Sequence, residues 1–96
     1  MPKAYWIVRV SVHDQERYPA YLDAARPAFE KFGARFIVRG GAFETTEGNA
    51  RDRNVVVEFA DRSTALACYR SAEYQAAKAI RQKYAEADFI IIDGAS

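Results

Sequence analysis

An arginine beside a pair of glycines is the segment of this 96-residue chain best suited to chemistry. Arg39 ends a predicted strand and is followed at once by Gly40 and Gly41. A guanidinium group offers planar, paired donors to a carboxylate or an enolate, and glycine lets a ligand approach the backbone closely. The pattern predicts an anion-binding position at Arg39 and Gly40. The alternative is a structural salt bridge from Arg39 to Glu58 beside an ordinary β-bulge.

Two carboxylates are candidates for acid–base catalysis. Glu58 lies in the middle of a predicted strand, on a face of mixed polarity, where a semi-apolar cavity would raise its pKa toward the range of a general base. Asp93 ends the last predicted strand, just before Gly94. Each has a structural alternative. Glu58 would neutralise Arg39 or Arg9, and Asp93 would accept hydrogen bonds in a turn.

Three further side chains are candidates for contacts to the ligand. Tyr74 and Arg81 follow each other on nearly one face of a predicted helix, and Arg9 lies in the first predicted strand. Arg9 or Arg81 would support Arg39 in holding the anion, and the Tyr74 hydroxyl would orient the ligand at the mouth of a cavity. Packing in the core is the alternative for Tyr74.

The remaining composition excludes several classes of function. His13 is the only histidine and Cys68 the only cysteine, and a metal or haem site needs more ligands than these. We therefore expect no metal and no cofactor, with Cys68 buried as a small apolar residue. The 14 basic and 13 acidic residues give a net charge of +1, which argues against a nucleic-acid partner.

The chain also lacks signals for export and for membrane insertion. One cysteine allows no intramolecular disulfide, and the first residues lack the long apolar region of an export signal. The longest apolar run, residues 89–92, is too short to cross a bilayer. These features predict a cytoplasmic protein with no membrane partner.

The elements that must position these residues follow a βαββαβ order within one domain, residues 1–96. The predicted elements are a strand at 4–12, a helix at 15–32, strands at 34–39 and 54–60, helices at 62–70 and 72–84, and a strand at 87–94. This order predicts an α+β, ferredoxin-like fold with a four-stranded antiparallel sheet.

Turn and cap residues refine the predicted boundaries. Asp14 is a candidate N-cap, Pro27 predicts a kink or break near Arg26, and Gly33 ends the first long helix. Asp61 or Ser63 caps the next helix, and Ser71 caps the one after it. Residues 43–46 are expected to extend the strand pairing, and residues 47–53 to form a polar hairpin tip.

Alternation of side chains divides the predicted sheet into two faces. The first is wholly apolar and should pack beneath the helices: Trp6, Val8, Val10, Phe36, Val38, Val55, Val57, Phe59, Ile90 and Ile92. The second mixes apolar and charged side chains: Tyr5, Ile7, Arg9, Arg35, Ile37, Arg39, Val56, Glu58, Phe89, Ile91 and Asp93. A face with so much apolar surface needs a cover, and a second copy of the chain is the simplest one. The homodimer would enclose Arg9, Arg39, Glu58 and Asp93 in or near a cavity.

Several segments together resemble a known family. They are Arg35-Phe36-Ile37-Val38-Arg39-Gly40-Gly41, Val57-Glu58-Phe59, Tyr69-Arg70-Ser71-Ala72-Glu73-Tyr74-Gln75, Arg81 and Ile92-Asp93-Gly94. Over residues 5–94 the chain resembles the domain-of-unknown-function family numbered 1330, of the dimeric α+β barrel superfamily. That family more often has tryptophan where this chain has Tyr69. The resemblance implies the dimeric α+β barrel fold and a homodimer, but no settled activity.

Two functions follow from these features. The first is binding or transformation of a small anionic or enolic metabolite in a pocket of the homodimer, without a metal. Arg39 and Gly40 would hold the anion, and Glu58 or Asp93 would move a proton. The second is a non-catalytic dimerisation or ligand-sensing module whose charges only satisfy one another. A third possibility, a monooxygenase, rests on the superfamily resemblance alone.

Overall fold

The structure is a computed structural model that describes residues 2–95. Its elements are β1 (Ala4–Val12), α1 (Pro19–Phe32), β2 (Arg35–Arg39), β3 (Arg53–Phe59), α2 (Arg62–Arg70), α3 (Ala72–Tyr84) and β4 (Ala85–Asp93). The strands form one antiparallel sheet in the order β2-β3-β1-β4, and the helices cover one face of it. The predicted α+β, ferredoxin-like fold with a four-stranded antiparallel sheet is confirmed.

The ends of the helices follow the predicted caps with one exception. Gly33 ends α1 in the left-handed conformation, at φ 66°, and its N–H donates to the Phe29 carbonyl. Asp61 caps α2 by accepting from the Thr64 N–H at 2.8 Å, and Ser71 caps α3 by accepting from the Tyr74 N–H at 3.1 Å. Asp14 instead accepts from the Arg17 N–H, in the turn that precedes α1.

Two predicted irregularities differ from the structure. Helix α1 runs without a break through Pro27, so the predicted break is wrong. Residues 43–46 do not extend the sheet, since the segment between β2 and β3 contains neither helix nor strand. No helix within residues 2–95 is long and apolar enough to cross a membrane.

The core is a group of aromatic rings between the sheet and the helices. Trp6 is 1% exposed, and its ring contacts those of Phe29, Phe59, Tyr69, Tyr74 and Phe89. The Trp6 indole N–H also donates to the Ala65 carbonyl at 3.0 Å. One side chain from β1 therefore joins β3, β4 and all three helices.

The division of the sheet into faces is right for β1 and β3 and wrong for β4. Trp6 pairs with Ile91 and Val8 pairs with Phe89, so Phe89 and Ile91 face the helices. Ile90 and Ile92 are 55% and 48% exposed on the other face. The error arises because four apolar residues follow one another in β4, which hides the alternation that distinguishes the two faces.

A β-bulge reverses the faces in the second half of β2. The register passes from Phe36 opposite Val57 to Val38 opposite Val56, so Ile37 is the extra residue. Val38 therefore turns away from the helices, and Arg39, opposite the buried Val55, turns toward them. The prediction that Arg39 shares a face with Glu58 is wrong, because a bulge shifts the alternation by one residue.

The face without helices is called the open face below. It carries Tyr5, Ile7, Arg9, Arg35, Val38, Asn54, Val56, Glu58, Asp88, Ile90 and Ile92. Its centre is an apolar row in which Ile7 pairs with both Val56 and Ile90, and Val38 pairs with Val56. Charged side chains lie at both ends of this row.

Candidate functional site: a cleft between helix and sheet

A cleft of about 380 Å³ opens between α1 and the edge of the sheet formed by β2 and β3. This volume lies in the usual range for sites that bind small molecules. Apolar walls and charged groups share the lining, which comprises Leu22, Arg26, Phe29, Glu30, Ala34, Phe36, Arg39 and Arg53. Three guanidinium groups and one carboxylate therefore line the cleft, and of the three arginines Arg26 is paired with Asp23 at 3.1 Å.

Arg39 reaches the cleft because of the bulge in β2. Its guanidinium carbon lies 4.2 Å from the centre of the Phe36 ring, so the two groups stack. No acidic side chain among residues 2–95 forms an ion pair with Arg39. The structural alternative of a salt bridge to Glu58 is therefore wrong, and the Arg39 donors face solvent and the cleft.

Gly40 makes room for a second arginine. Its φ is +66°, its N–H donates to the Asn54 carbonyl at 2.8 Å, and a Cβ built on it would lie 2.6 Å from an Nη1 of Arg53. Glycine is thus required both for the backbone conformation and for a close approach. The approaching group within the chain is the Arg53 side chain, whereas a ligand contact of Gly40 stays a prediction.

Arg53 lines both the cleft and a smaller pocket at its inner end. The smaller pocket, of about 30 Å³, is mostly apolar, and besides Arg53 it is lined by Tyr18, Tyr21, Leu22, Phe29, Phe36, Trp6, Val8, Val10, Val55 and Val57. The Arg53 guanidinium carbon lies 6.0 Å from the centre of the Tyr18 ring. Its buried Nε has no hydrogen-bond partner among residues 2–95. A donor without an acceptor is therefore available near the inner pocket.

A pair of buried phenols borders the inner pocket. The hydroxyls of Tyr21 and Tyr74 lie 2.8 Å apart, and Tyr74 is fully buried. Burial raises the pKa of Tyr21 well above its ordinary value and raises the pKa of Tyr74 as well. Both phenols are protonated at neutral pH, and one of the two hydroxyls donates to the other. Tyr74 is a core residue whose hydroxyl bonds to Tyr21, rather than a residue at the cavity mouth.

Arg81 is buried beside these phenols. It is 5% exposed, and its guanidinium carbon lies 5.6 Å from the centre of the Tyr21 ring and 5.8 Å from that of Phe89. Burial alone would lower the pKa of Arg81, but the nearby Tyr74 and Tyr21 phenols outweigh it and the pKa is raised. The side chain is therefore a buried cation surrounded by aromatic rings.

The other predicted site residues lie outside the cleft. Glu58, on the open face, accepts from Lys3 at 3.3 Å and from the Tyr5 hydroxyl at 3.1 Å, with Arg35 at 4.0 Å. Arg9, also on the open face, pairs with Asp88 at 3.3 Å. The predicted neutralisation of Glu58 by Arg39 or Arg9 is wrong, because other cations are closer in the observed register.

Asp93 lies at the end of β4, on the helix side of the sheet. It is opposite Ala4, and it pairs with Arg62 at 3.4 Å. Because β4 has the opposite alternation from the predicted one, Asp93 and Glu58 lie on opposite faces of the sheet. Of the predicted site residues the structure thus places Arg39 in the cleft, with Gly40 next to it in the chain, whereas Tyr74 and Arg81 are buried in the core behind it and neither predicted acid lines it.

The environment of Glu58 predicts a pH dependence of stability. Partial burial raises its pKa, but hydrogen bonds from Lys3 and Tyr5 and the charges of Lys3 and Arg35 leave the pKa below its ordinary value of 4.5. A group with a lowered pKa in the folded state stabilises the protein above its unfolded pKa, and the contribution is lost as the pH falls through the folded pKa. We expect Glu58→Gln to lower the urea midpoint at pH 7. At an acid pH below the folded pKa of Glu58, where the carboxyl group is protonated, the same substitution should have little effect on the urea midpoint.

The control for this prediction is Glu44→Gln, which changes an exposed loop carboxylate. Its urea midpoint should equal that of the unmodified protein both at pH 7 and at acid pH. A Glu58→Gln variant that loses equal stability at pH 7 and at acid pH would contradict a role for the ionised carboxylate.

Sequence reasoning missed Arg53 and Tyr21 as site residues. Arg53 was expected in the hairpin tip at 47–53, although it begins β3. The helical spacing of Tyr21 predicts a position in the core, and its exposure of 7% agrees with that prediction. Tyr21 and Tyr74 are 53 residues apart in the chain, and the hydrogen bond between their hydroxyls links α1 to α3. No local sequence pattern predicts such a contact.

The thiol and possible metal ligands offer no further chemistry at the cleft. Cys68 is fully buried, and burial raises its pKa to about 12, so it is not a nucleophile at neutral pH. Within the described part of the chain no three His, Cys, Asp or Glu side chains converge on a possible metal position.

Comparison with known proteins identifies a family and a fold. Residues 3–95 match the model of a family described as a domain of unknown function, DUF1330. No curated protein matches the sequence.

Among solved structures, one similar chain is the RPA0582 protein of unknown function from Rhodopseudomonas palustris. The match has a TM-score of 0.79 at 18% identity and covers 99% of this chain and 84% of that one. SnoaB, a cofactor-independent oxygenase from Streptomyces nogalater, matches with a TM-score of 0.67 at 9% identity, over 100% of this chain and 96% of that one. A dimeric protein of unknown function and ferredoxin-like fold from Bacteroides fragilis matches with a TM-score of 0.57 at 14% identity, over 96% of both chains. At these identities the likeness shows the fold alone.

Proposed function

The chain belongs to the DUF1330 family, and from that membership and the geometry of the cleft we propose that it is a homodimer that binds a small, flat, anionic or enolic metabolite. The ligand lies between α1 and the sheet, with its acidic group at Arg39 and Arg53. A cytoplasmic location is part of the proposal, and the lone cysteine supports it.

The observation that carries the proposal is the pairing of aromatic walls with arginines that have no acidic partner. Phe29 and Phe36 line the cleft and offer ring faces to a flat molecule. Arg39 and Arg53 have no ion-pair partner among residues 2–95, although most other charged groups of the sheet are paired. Two unpaired cations beside apolar walls fit an aromatic or enolic acid.

The homodimer is supported by the apolar row of the open face. Ile90 and Ile92 are about half exposed in a protomer, and Ile7, Val38 and Val56 continue the same surface. A second open face would cover this surface and make a symmetric interface. The Bacteroides fragilis protein of similar fold is dimeric by its description, which is consistent with this assembly.

Whether the bound metabolite is also transformed depends on a proton acceptor near it. Glu30 is the carboxylate that lines the cleft, whereas Glu58 and Asp93 lie elsewhere. SnoaB, of similar fold, is described as a cofactor-independent oxygenase. An analogous conversion here would use Glu30 as the acid–base group and the phenols of Tyr21 and Tyr74 as donors.

The second candidate function is a non-catalytic module, and the charges of the open face favour it. Glu58 is held by Lys3 and Tyr5, and Asp88 is held by Arg9 and Arg51 at 3.3 and 2.9 Å. These charges satisfy one another, as a purely structural surface would require. A sensing module would still use the cleft for its ligand but would release it unchanged.

Removing either arginine of the cleft is expected to weaken ligand binding. A charge-assisted hydrogen bond contributes about 1.5–3 kcal/mol, so Arg39→Ala and Arg53→Ala should each weaken the affinity for a bound aromatic acid roughly tenfold to a hundredfold. The measurement is a thermal-shift screen of aromatic and enolic acids, followed by calorimetric titration of each acid that stabilises the protein.

The matched control is Arg17→Ala, which removes an exposed arginine paired with Asp14 in the turn before α1. Its affinity for the same acid should equal that of the unmodified protein. An affinity that Arg39→Ala and Arg53→Ala leave unchanged would remove the cleft from the proposal. An acid that is recovered unchanged after prolonged incubation in air would favour the sensing module over an enzyme.

A further inference from the structure

The buried cation behind the cleft has no counter-ion within the described chain. Arg81 is 5% exposed, its Nε has no hydrogen-bond partner, and no carboxylate of residues 2–95 pairs with it. The Tyr74 and Tyr21 phenols stabilise the Arg81 charge, but no carboxylate neutralises it, and a nearby anion would stabilise it further. The charge of Arg81 therefore favours an anion at the nearest accessible position.

That position is the inner pocket. Its volume of about 30 Å³ holds one or two small atoms, and it opens beside the same Leu22, Phe29 and Phe36 that line the larger cleft. Arg81 does not line this pocket, but its guanidinium lies 5.6 Å from the ring of Tyr21, which does. Arg53 lines the pocket directly.

The titratable and charged groups around the inner pocket are cations and neutral phenols, and both kinds of group can stabilise an anionic oxygen. Arg53, Tyr18 and Tyr21 line the pocket, and Arg81 and Tyr74 lie behind Tyr21. The Tyr21 and Tyr74 hydroxyls share one hydrogen bond, so one of the two O–H groups stays free to donate. The carboxylate of the cleft, Glu30, lines the outer part but not the inner pocket. The charged groups nearest the inner end are therefore cations, in a lining that is otherwise mostly apolar.

We propose that the inner pocket binds one enolate or phenolate oxygen of the ligand whose carboxylate is held at the cleft mouth. This inference rests on the proposed function. It narrows the class of ligand from any small anion to acids that carry a second, ionisable oxygen at the end of the molecule opposite the carboxylate. Arg53 donates to that oxygen, the Tyr21 hydroxyl donates beside it, and Arg81 stabilises the charge through space.

A coloured probe measures this preference directly. The probe is 4-hydroxy-3-nitrobenzoate, whose phenolate absorbs in the visible range, and its matched partner is 3-nitrobenzoate, which lacks the hydroxyl. A cation a few ångströms from an acid lowers its pKa by about 1–3 units. The titration midpoint of the bound phenol should therefore fall by about 1 unit or more relative to the free probe, so that the phenolate binds at least tenfold more tightly than the phenol.

Variants assign the effect to its residues. Arg81→Gln should reduce the fall in the midpoint, with the rest of the fall due to Arg53, while leaving the affinity for 3-nitrobenzoate unchanged, and Arg81→Lys should reduce the fall less than Arg81→Gln does. Tyr21→Phe should weaken binding of 4-hydroxy-3-nitrobenzoate and leave binding of 3-nitrobenzoate unchanged. If Arg81→Gln does not fold, the titration of the unmodified protein and of Tyr21→Phe still decides the question.

The possible results separate the two proposals. If 3-nitrobenzoate binds and the midpoint of the hydroxylated probe is unchanged or raised, the inner pocket does not bind an anionic oxygen, although the cleft still binds acids. If neither probe nor any acid of the screen binds, the inference and the proposed function are both overturned. A fall in the midpoint that keeps its full size in Arg81→Gln overturns the role of Arg81.

Discussion

Replacing Ile90 by glutamate is expected to convert the proposed homodimer into a folded monomer. Ile90 is 55% exposed in the protomer and pairs with Ile7 at the centre of the apolar row. In a face-to-face dimer the new carboxylate would be buried without a partner, at a cost of several kcal/mol. Since each 1.4 kcal/mol is a factor of ten, the dissociation constant of the dimer should rise about a hundredfold or more.

The measurement is sedimentation equilibrium over a range of protein concentrations. The control, Ala79→Glu, adds the same charge at an exposed position of α3, on the side of the sheet that the helices cover. It should leave the dimer intact. Near-ultraviolet circular dichroism of Ile90→Glu should retain the signal of the folded protomer. A dimer of unchanged affinity in Ile90→Glu would show that the open face is not the interface.

The sequence predicts the faces of a strand where a charged residue inside the strand marks one of them. Trp6, Val8 and Val10 in β1 alternate with Tyr5, Ile7 and the exposed Arg9, and their burial follows the prediction. In β4 the run from Phe89 to Ile92 is apolar at every position, so the face depends on the register with β1. That register is set by contacts between distant parts of the chain, which no local pattern contains.

The site depends on one such non-local feature. Arg39 was identified as an anion-binding residue from its type and its glycine neighbours, but the bulge at Ile37 decides that it faces the helices. Arg53 joins it because Gly40 leaves space for a guanidinium group. The chemistry inferred from residue types, anion binding at Arg39, therefore stays a prediction, while the bulge and the close approach determine which groups meet.

Replacing Trp6 by alanine is expected to give the largest loss of stability. Trp6 is 1% exposed and contacts five aromatic rings, and its indole N–H satisfies the Ala65 carbonyl. Truncation of a buried tryptophan costs about 3–5 kcal/mol, which is a large share of the roughly 5–15 kcal/mol of a whole domain. We therefore expect Trp6→Ala to be largely unfolded in modest urea, where the unmodified protein is folded.

Two further variants separate the causes of that loss. Trp6→Phe keeps an aromatic ring but removes the hydrogen bond from the indole N–H to the Ala65 carbonyl, which costs about 0.5–1.5 kcal/mol. Phe43→Ala removes an aromatic ring that is 52% exposed, and it should change stability by no more than about 0.5 kcal/mol. Urea unfolding is followed by far-ultraviolet circular dichroism rather than by tryptophan fluorescence, because Trp6 is the only tryptophan. The protein concentration is held fixed, because the stability of a dimer would depend on it. If Trp6→Ala loses less than about 1 kcal/mol, the sheet and helices are held together by contacts other than this aromatic core. In that case the walls of the cleft, which include Phe29 from the same group of rings, would not depend on Trp6 for their position.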